Sequence, residues 1–481
     1  MQKKSEQRLV VVSNRLSVSL EKAKGELKYK ASVGGLATGM SSICGQRESL
    51  WVGWPGLAAE ELEDSRWREV HSRLRERYDA EPVPLSRQDL DEFYYGFCNN
   101  TIWPLFHYFP TYANYDPVLW EAYRRINRRY FEKIEEVGED GDVFWIHDYH
   151  LMLLPRLVKE RFPDSRVGVF LHLPFPSFEL FRLLPWRRHI LQGLLGADLI
   201  GFHTADYARH FLTSVERLLE TKIDGEWVRC NGHQSRATDF PMGIDYEKYT
   251  GAVDTAETRK ALNRYRSRLE GLKVILSVDR LDYSKGIIER LRAYDLFLSR
   301  HEEYKGQVAL LAIVAPSRTG VPQYKQLRRQ INELVSTING RHGRVGWTPI
   351  HYFYRSFSFH RLTAAYALAD VLLVTALRDG MNLIAKEYVA AKRDRRGVLI
   401  LSETAGTADE LDEALIVNSN DIEQVAATLA RALQMTLEEQ ESRNEGMHQK
   451  LANNDVRHWG EQFLESLMSE SLTAESPPKS G

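Results

Sequence analysis

Cysteine is nearly absent. Cys44, Cys98 and Cys230 are the only three in 481 residues, at wide and unpatterned spacing, which argues against a disulfide framework or a Cys-based metal site and fits a reducing cytoplasm. A charge excess of either sign is also missing, since 64 basic and 66 acidic side chains leave a formal net charge of -2. That speaks against a nucleic-acid or membrane surface working through bulk charge, while a local basic cleft stays open. No apolar run approaches the ~20 residues of a spanning helix. The N-terminal MQKKSEQR leads straight into the strand-like LVVVSN with no signal-peptide core, so a soluble, cytoplasmic protein is expected. No internal repeat and no low-complexity block precedes the Pro/Ser-rich tail after Ser471, which is expected to be disordered.

What the chain has is alternation. Its length exceeds one comfortable core, so two domains with a cleft between them are expected. Strand-like and helix-like stretches follow one another, the pattern of parallel sheets covered on both faces. In the first half, Leu9 to Ser13, SLWVGWPG and Val143 to Ile146 read as strands, Ser17 to Ser32 as a hairpin, and Pro117 to Val137 as an amphipathic helix. A helix restart is expected from Val33. The second half opens near Pro241 to Asp245, followed by a helix at Ala256 to Leu269 and the strand KVILSV. Then come a helix with Ile287, Leu291 and Tyr294 inward, the strand Val308 to Ala315, a helix at Gln323 to Ile338, the strand-like GRVGW and a helix before Asp370. The strand Val398 to Ser402 and helices at Ile422 to Met435 and Asp455 to Leu467 finish the fold.

Polar residues collect where these strands end. VLLVTAL breaks into Arg378-Asp379-Gly380-Met381-Asn382 before a helix bearing Leu383 and Glu387. The first N–H groups of such a helix lack partners and carry about half a positive charge, so the junction suits a phosphate. Glu387 could accept ribose hydroxyls and Asp379 sugar hydroxyls; alternatively Asp379 and Asn382 only cap the helix, and Glu387 pairs with Lys386 or Arg393. Arg280 and Lys285 lie in Asp279 to Gly286, two cations beside a glycine, which suits phosphate oxygens better than the alternative, a solvated surface pair. Gly34-Gly35 could admit a diphosphate or form an ordinary turn. The aromatic and amide-rich block DEFYYGFCNNTIWPLFHY has no clean period and reads as core or as a sugar-binding wall. His147-Asp148, His172 and His203 end separate strands. A metal centre is one reading of them, but without HExxH or paired cysteines they read better as donors and acceptors lining a crevice.

SNRL, VGG, WVGWPG, WPLFHY, WIHDYHL, HLPFP, DRLDYSKG, APSRTG, LRDGMNL with AKEY, and SETAG occur in an order and spacing that resemble the trehalose-6-phosphate synthases, over about residues 8 to 467. The resemblance implies an α/β fold of GT-B type: two Rossmann-like domains, 1–245 and 246–455, with parallel sheets facing a central cleft. Residues 456–470 would form a helix returning to the first domain and 471–481 a disordered tail. It implies a retaining transfer of glucose from a nucleotide sugar, UDP-glucose foremost, to glucose 6-phosphate. Arg280 and Lys285 would hold the diphosphate with Gly34, Gly35, Gly380, Met381, Asn382 and Leu383, while Glu387 binds the ribose and Asp379 the transferred glucose. Arg15 and Arg318 would take the acceptor phosphate, with Trp54, Tyr94, Trp103 and Asp148 around its ring, and His172 would stand beside the reacting carbon. His172, Arg280, Lys285 and Asp379 are thus the catalytic candidates. No metal and no cofactor is expected, nor a nucleic-acid or membrane partner; a homo-oligomer is compatible with the resemblance.

Ser17, Thr404, Thr407 and Asp409 depart from the family's commoner residues, which leaves the donor base the least determined item. No DxDxT motif occurs, so no fused phosphatase is expected and a separate phosphatase would act on the product. Two other readings stand beside the synthase: a related transferase with an acceptor such as glycerol 3-phosphate, and a synthase-like regulatory subunit without turnover.

Overall fold

A strand buried on both faces needs an unbroken apolar run, and LVVVSNR supplies one: β1 (Leu9–Arg15) is buried throughout except at Arg15. The computed structural model describes residues 7–23, 26–31, 40, 43–45, 47–318 and 320–469. The helix expected at Val33, the pair Gly34 and Gly35, and the tail after Ser471 lie outside them. The chain forms two compact units, Met1–Phe240 with Trp459–Gly481, and Pro241–His458. No described helix is long and apolar enough to cross a membrane.

In the first unit β2 (Val18–Ala23) and β3 (Glu26–Ala31) make the antiparallel hairpin. The main sheet adds β4 (Ser49–Trp54), β5 (Ala80–Pro82), β6 (Val143–His147), β7 (Arg166–Phe170), β8 (Leu199–Phe202), β9 (Ile223–Asp224), β10 (Trp227–Cys230) and β11 (His233–Asp239). Its order is β5-β4-β1-β6-β7-β8-β11-β10-β9, antiparallel only at β10 and β9. The second unit holds β12 (Lys273–Arg280), β13 (Val308–Ala315), β14 (Ile350–Tyr354), β15 (Val371–Val374), β16 (Val398–Ser402) and β17 (Leu415–Val417). These lie in the order β14-β13-β12-β15-β16-β17, all parallel. Each sheet builds outward from its first strand in one direction and then the other. Strand order therefore reverses between β1 and β6, and again between β12 and β15, where doubly wound folds leave a crevice beyond the strand ends.

The last helix, Val456–Ser469, packs on the first sheet. Phe463 stacks on Trp145 with centroids 4.6 Å apart, and Trp459 lies 5.3 Å from the same ring. Gly168 and Gly201 make room, since a Cβ on either would come within 2.8 Å of the Phe463 ring.

Some elements differ from the pattern reading. GRVGW is a tight reversal closed by Arg344 and Trp347, with Val345 fully exposed and the Trp347 indole donating to the Val308 carbonyl at 2.8 Å. The strand there is β14, whose IHYFY alternation is half-buried at a sheet edge. The helix Leu437–Asn453 was not expected: two of its four inward residues, Asn444 and His448, are polar, which hides its apolar stripe. The aromatic block forms a wide π-type helix over Leu90–Ile102. Its i to i+5 bonding explains the missing 3.6-residue period.

Candidate active site

At the second unit's switch point the loop after β12 and the turn after β15 are built as one piece. Leu377 N–H donates to the Ser284 carbonyl at 2.7 Å. Gly286 has φ +59, and a Cβ there would sit 1.9 Å from the Thr375 carbonyl oxygen, so only glycine permits this approach. Arg290 locks the arrangement from below, fully buried. Its guanidinium reaches the Thr375 hydroxyl at 2.9 Å, the Ser277 hydroxyl at 2.7 Å, the Asp279 carboxylate and the Lys285 carbonyl at 3.1 Å.

Within this frame Lys285 Nζ donates to Asp379 Oδ2 at 2.6 Å, and Asn382 Nδ2 donates to the same oxygen at 2.9 Å. Asn382 takes a left-handed conformation, φ 71, which its short side chain tolerates, and caps the helix Leu383–Ala391 by accepting from Ala385 N–H. The turn is braced by Thr407, whose backbone N–H donates to the Met381 carbonyl at 2.8 Å and whose hydroxyl bonds the Asn382 carbonyl at 3.1 Å. Gly380 and Met381 are buried, while Arg280 is exposed at the end of β12. Glu387 pairs with neither Lys386 nor Arg393: Lys386 bonds Met242 O and Glu410, and Arg393 bonds Asp254. Its carboxylate accepts instead from the Tyr366 hydroxyl at 2.7 Å and from Tyr249. Burial holds its pKa above the usual carboxylate value, against the pull of both phenols. Arg318, φ 44, donates to Asp282 Oδ2 and to the Tyr324 hydroxyl, each at 2.7 Å. The other Asp282 oxygen accepts Ser284 N–H at 3.0 Å, so Arg318 is tied to the Lys285 loop.

At the first unit's switch point Arg15 leaves the end of β1 with its guanidinium 4.6 Å from the Trp54 ring and 5.9 Å from that of Tyr94. Tyr94 stacks on His150 at 5.8 Å, His150 lies 4.0 Å from Tyr149, and Tyr149 lies 5.8 Å from Trp103. An aromatic wall thus runs beside Asp148. That residue sits at φ 75, a strained backbone for an aspartate at a strand end, and its carboxylate accepts the His172 backbone N–H at 3.2 Å. His172 Nε2 faces His147 Nδ1 at 3.2 Å. Burial lowers the His172 pKa to about 3; burial and then the neighbouring His172 hold His147 well below its usual value. Both rings are therefore neutral at physiological pH, and His172 can donate or accept a hydrogen bond without adding charge.

The expected residues of the first unit, Arg15, Trp54, Tyr94, Trp103, Asp148 and His172, form one cluster. Those of the second, Arg280, Lys285, Asp379 to Leu383, Glu387 and Arg318, gather at its own switch point. Sequence reasoning missed Arg290, Tyr366, Tyr249 and Asp282. The signal for Arg290 was present: it falls on the inward stripe with Ile287, Leu291 and Tyr294, where a cation needs partners. Among the described residues no cluster of His, Cys, Asp and Glu has the makings of a metal site.

The sequence model of glycosyltransferase family 20 matches residues 7–469. The chain is 45% identical to a bifunctional trehalose-6-phosphate synthase/phosphatase of Thermoproteus tenax, over 98% of this chain and 65% of that relative; it spans about two thirds of that protein's length. Among solved structures it resembles one from E. coli described as trehalose-6-phosphate bound with UDP-2-fluoro glucose (TM-score 0.87, 35% identity, 96% of this chain and 99% of the other). It likewise resembles a UDP-forming α,α-trehalose-phosphate synthase from Burkholderia xenovorans in complex with glucose-6-phosphate (TM-score 0.86, 34% identity, 96% and 100%).

Proposed function

The chain belongs to glycosyltransferase family 20, and on that premise we propose that it is an α,α-trehalose-phosphate synthase moving glucose from UDP-glucose to glucose 6-phosphate with retention of the anomeric configuration. The observation that carries this reading is the pairing of Lys285 with Asp379 at a capped helix start. A cation, a sugar-hydroxyl acceptor and a helix start, whose first N–H groups lack partners inside the helix, stand together there, as a nucleotide sugar requires.

Lys285 and Arg280 take the diphosphate, with the backbone of Gly380 to Leu383. When phosphate replaces Asp379 as the partner of Lys285, the Asp379 carboxylate is released to the glucose hydroxyls. Glu387 accepts from the ribose. On the acceptor side Arg15 binds the 6-phosphate, a role assigned to Arg318 as well on the family resemblance alone, and the Trp54, Tyr94 and Trp103 rings cover the apolar face of the hexose, with Asp148 on its hydroxyls.

The reaction breaks the bond between the anomeric carbon and the diphosphate and forms one to the acceptor hydroxyl on the same face. A retaining glycosidase does this with two carboxylates about 5 Å apart. Here the departing phosphate oxygen takes the proton of the attacking hydroxyl, and Lys285 and Arg280 stabilise the charge that grows on the leaving group. Neutral His172 is assigned to the oxocarbenium-like carbon on the family resemblance, so catalysis rests on positioning and preorganised charge. Two fixed cations and a helix terminus offset the diphosphate, so turnover is metal-independent and persists in EDTA.

The reading is tested with UDP-, ADP- and GDP-glucose, each offered with glucose 6-phosphate, glycerol 3-phosphate or no acceptor, scoring nucleotide release. Release from UDP-glucose with glucose 6-phosphate is expected. Preference for glycerol 3-phosphate would move the chain to another acceptor class, and no release from any pair would make it a binding subunit.

A further inference from the structure

The second sheet ends at β14, whose residues alternate between faces: Tyr352 and Tyr354 pack into one layer, Phe353 into the other. On the Phe353 side the helices Ala256–Arg268 and Phe359–Leu368 leave a cavity of about 520 Å³ against the strand. Its floor is apolar, with Leu311 and Leu269 buried and Phe353, Phe357 and Tyr265 around them. Its rim is cationic. Lys260, Arg264 and Arg268 follow one another at four-residue spacing along one face of the first helix, Arg361 comes from the second, and Arg355 follows the strand. Against these five cations the lining holds one carboxylate, Glu257, and two histidines, His351 and His360.

Among the described residues none of the five cations makes an ion pair, whereas Arg259, on another face of the same helix, pairs with Asp254 at 3.0 Å. Like charges at i and i+4 destabilise a helix, and the arrangement is not a by-product of a basic protein, since the whole chain carries -2. Arg355 lies with its guanidinium 5.0 Å from the Phe353 ring and 5.2 Å from that of Phe357. The positive fields of Arg361, Arg355 and Arg264 all act on the Tyr265 hydroxyl, opposing the rise that burial causes in its pKa.

A solvated cationic face needs no apolar floor, and an apolar ligand site needs no such rim. We propose that this cavity, which shares no residue with the donor or acceptor sets, is a second ligand site that binds a phosphorylated ring compound, phosphates to the arginines and ring against Phe357 and Tyr265. The volume suits a small organic ligand, and planar guanidinium forks match phosphate oxygens in pairs.

The test is calorimetric titration of the full chain with ATP and, separately, with inorganic tripolyphosphate, in about 150 mM salt with saturating UDP to occupy the donor site. The wild-type protein, Arg264→Ala/Arg361→Ala and Phe357→Ala are compared. Saturable binding of ATP is expected, weakened at least about tenfold in the double arginine variant, because two charge-assisted contacts are lost, with kcat and donor KM unchanged. Phe357→Ala is expected to weaken ATP more than tripolyphosphate. Failure of wild type to bind either probe saturably, or equal affinity in the double arginine variant, would overturn the site. Equal effects of Phe357→Ala on the two probes would overturn the ring's place in it.

Discussion

Glu387 shows how one side chain reports both stability and function. Burial raises its pKa, so the folded protein holds a proton there more tightly than the unfolded chain. Its contribution to stability is therefore fully present below the ordinary glutamate value and is lost as pH rises through the folded value. Glu387→Gln keeps an oxygen for Tyr366 and Tyr249 but carries no charge. Thermal melts are expected to show the variant more stable than wild type at pH 8, with the gain vanishing toward pH 4, while donor KM rises about tenfold for the loss of a charged acceptor. A gain at pH 4 as large as that at pH 8 would contradict the assignment. Lys285 and Asp379 supply a second separation of roles. Lys285→Ala removes the cation that offsets a largely buried carboxylate and is expected to cost about 2 to 3 kcal/mol in denaturant unfolding, with kcat falling at least about a hundredfold. Adding Asp379→Ala should restore much of the stability and none of the activity; recovery of turnover would remove Lys285 from the chemistry. Arg15, Lys285 and Asp379 were legible because polar residues ending apolar strands stand out. Arg290 and Tyr366 were not: an arginine or tyrosine in a helix looks like surface or core until its partners, distant in sequence, are known.

At the scale of elements, strands and turns carried most of the readable signal. The apolar runs of β1, β13 and β16 and the stripe of Pro117–Val137 follow directly from burial on two faces or one. β14 was harder, because an edge strand of mixed aromatic and polar residues has no strong apolar contrast, and the π-type helix at Leu90–Ile102 has no period to find. The reversal at Arg344–Trp347 looked like a strand because its Val and Trp are apolar, yet Val345 is fully exposed. The joint between the loop after β12 and the turn after β15 offers a direct test. In Gly286→Ala a Cβ would meet the Thr375 carbonyl at 1.9 Å in a left-handed backbone, so the loop must shift and carry Lys285 away from Asp379. A loss of about 2 kcal/mol or more in stability is expected, with a larger loss in kcat/KM than in stability-matched core variants. Wild-type kinetics in this variant would mean that the joint does not position Lys285.

Across the whole molecule, two sheets of the same winding each place candidate site residues where strand order reverses, one set around Arg15 and Asp148 and the other around Lys285 and Asp379. The chain crosses between units twice, and its last helix packs on the first sheet. Trp459→Ala is accordingly expected to destabilise the first unit by about 3 to 5 kcal/mol through the cavity it opens beside Trp145, while amide exchange in the second sheet stays unchanged; uniform loss of protection in both sheets would contradict that division. The central claim is that fixed protein cations, at Lys285 and Arg280, let glucose pass to a phosphorylated hexose with its configuration kept. Proton NMR of the metal-stripped protein with UDP-glucose and glucose 6-phosphate in EDTA tests it most directly. UDP release is expected in step with a disaccharide phosphate whose two anomeric protons both carry α couplings; a β-coupled product, or turnover that appears only when a divalent ion is returned, would contradict metal-independent retention by these cations.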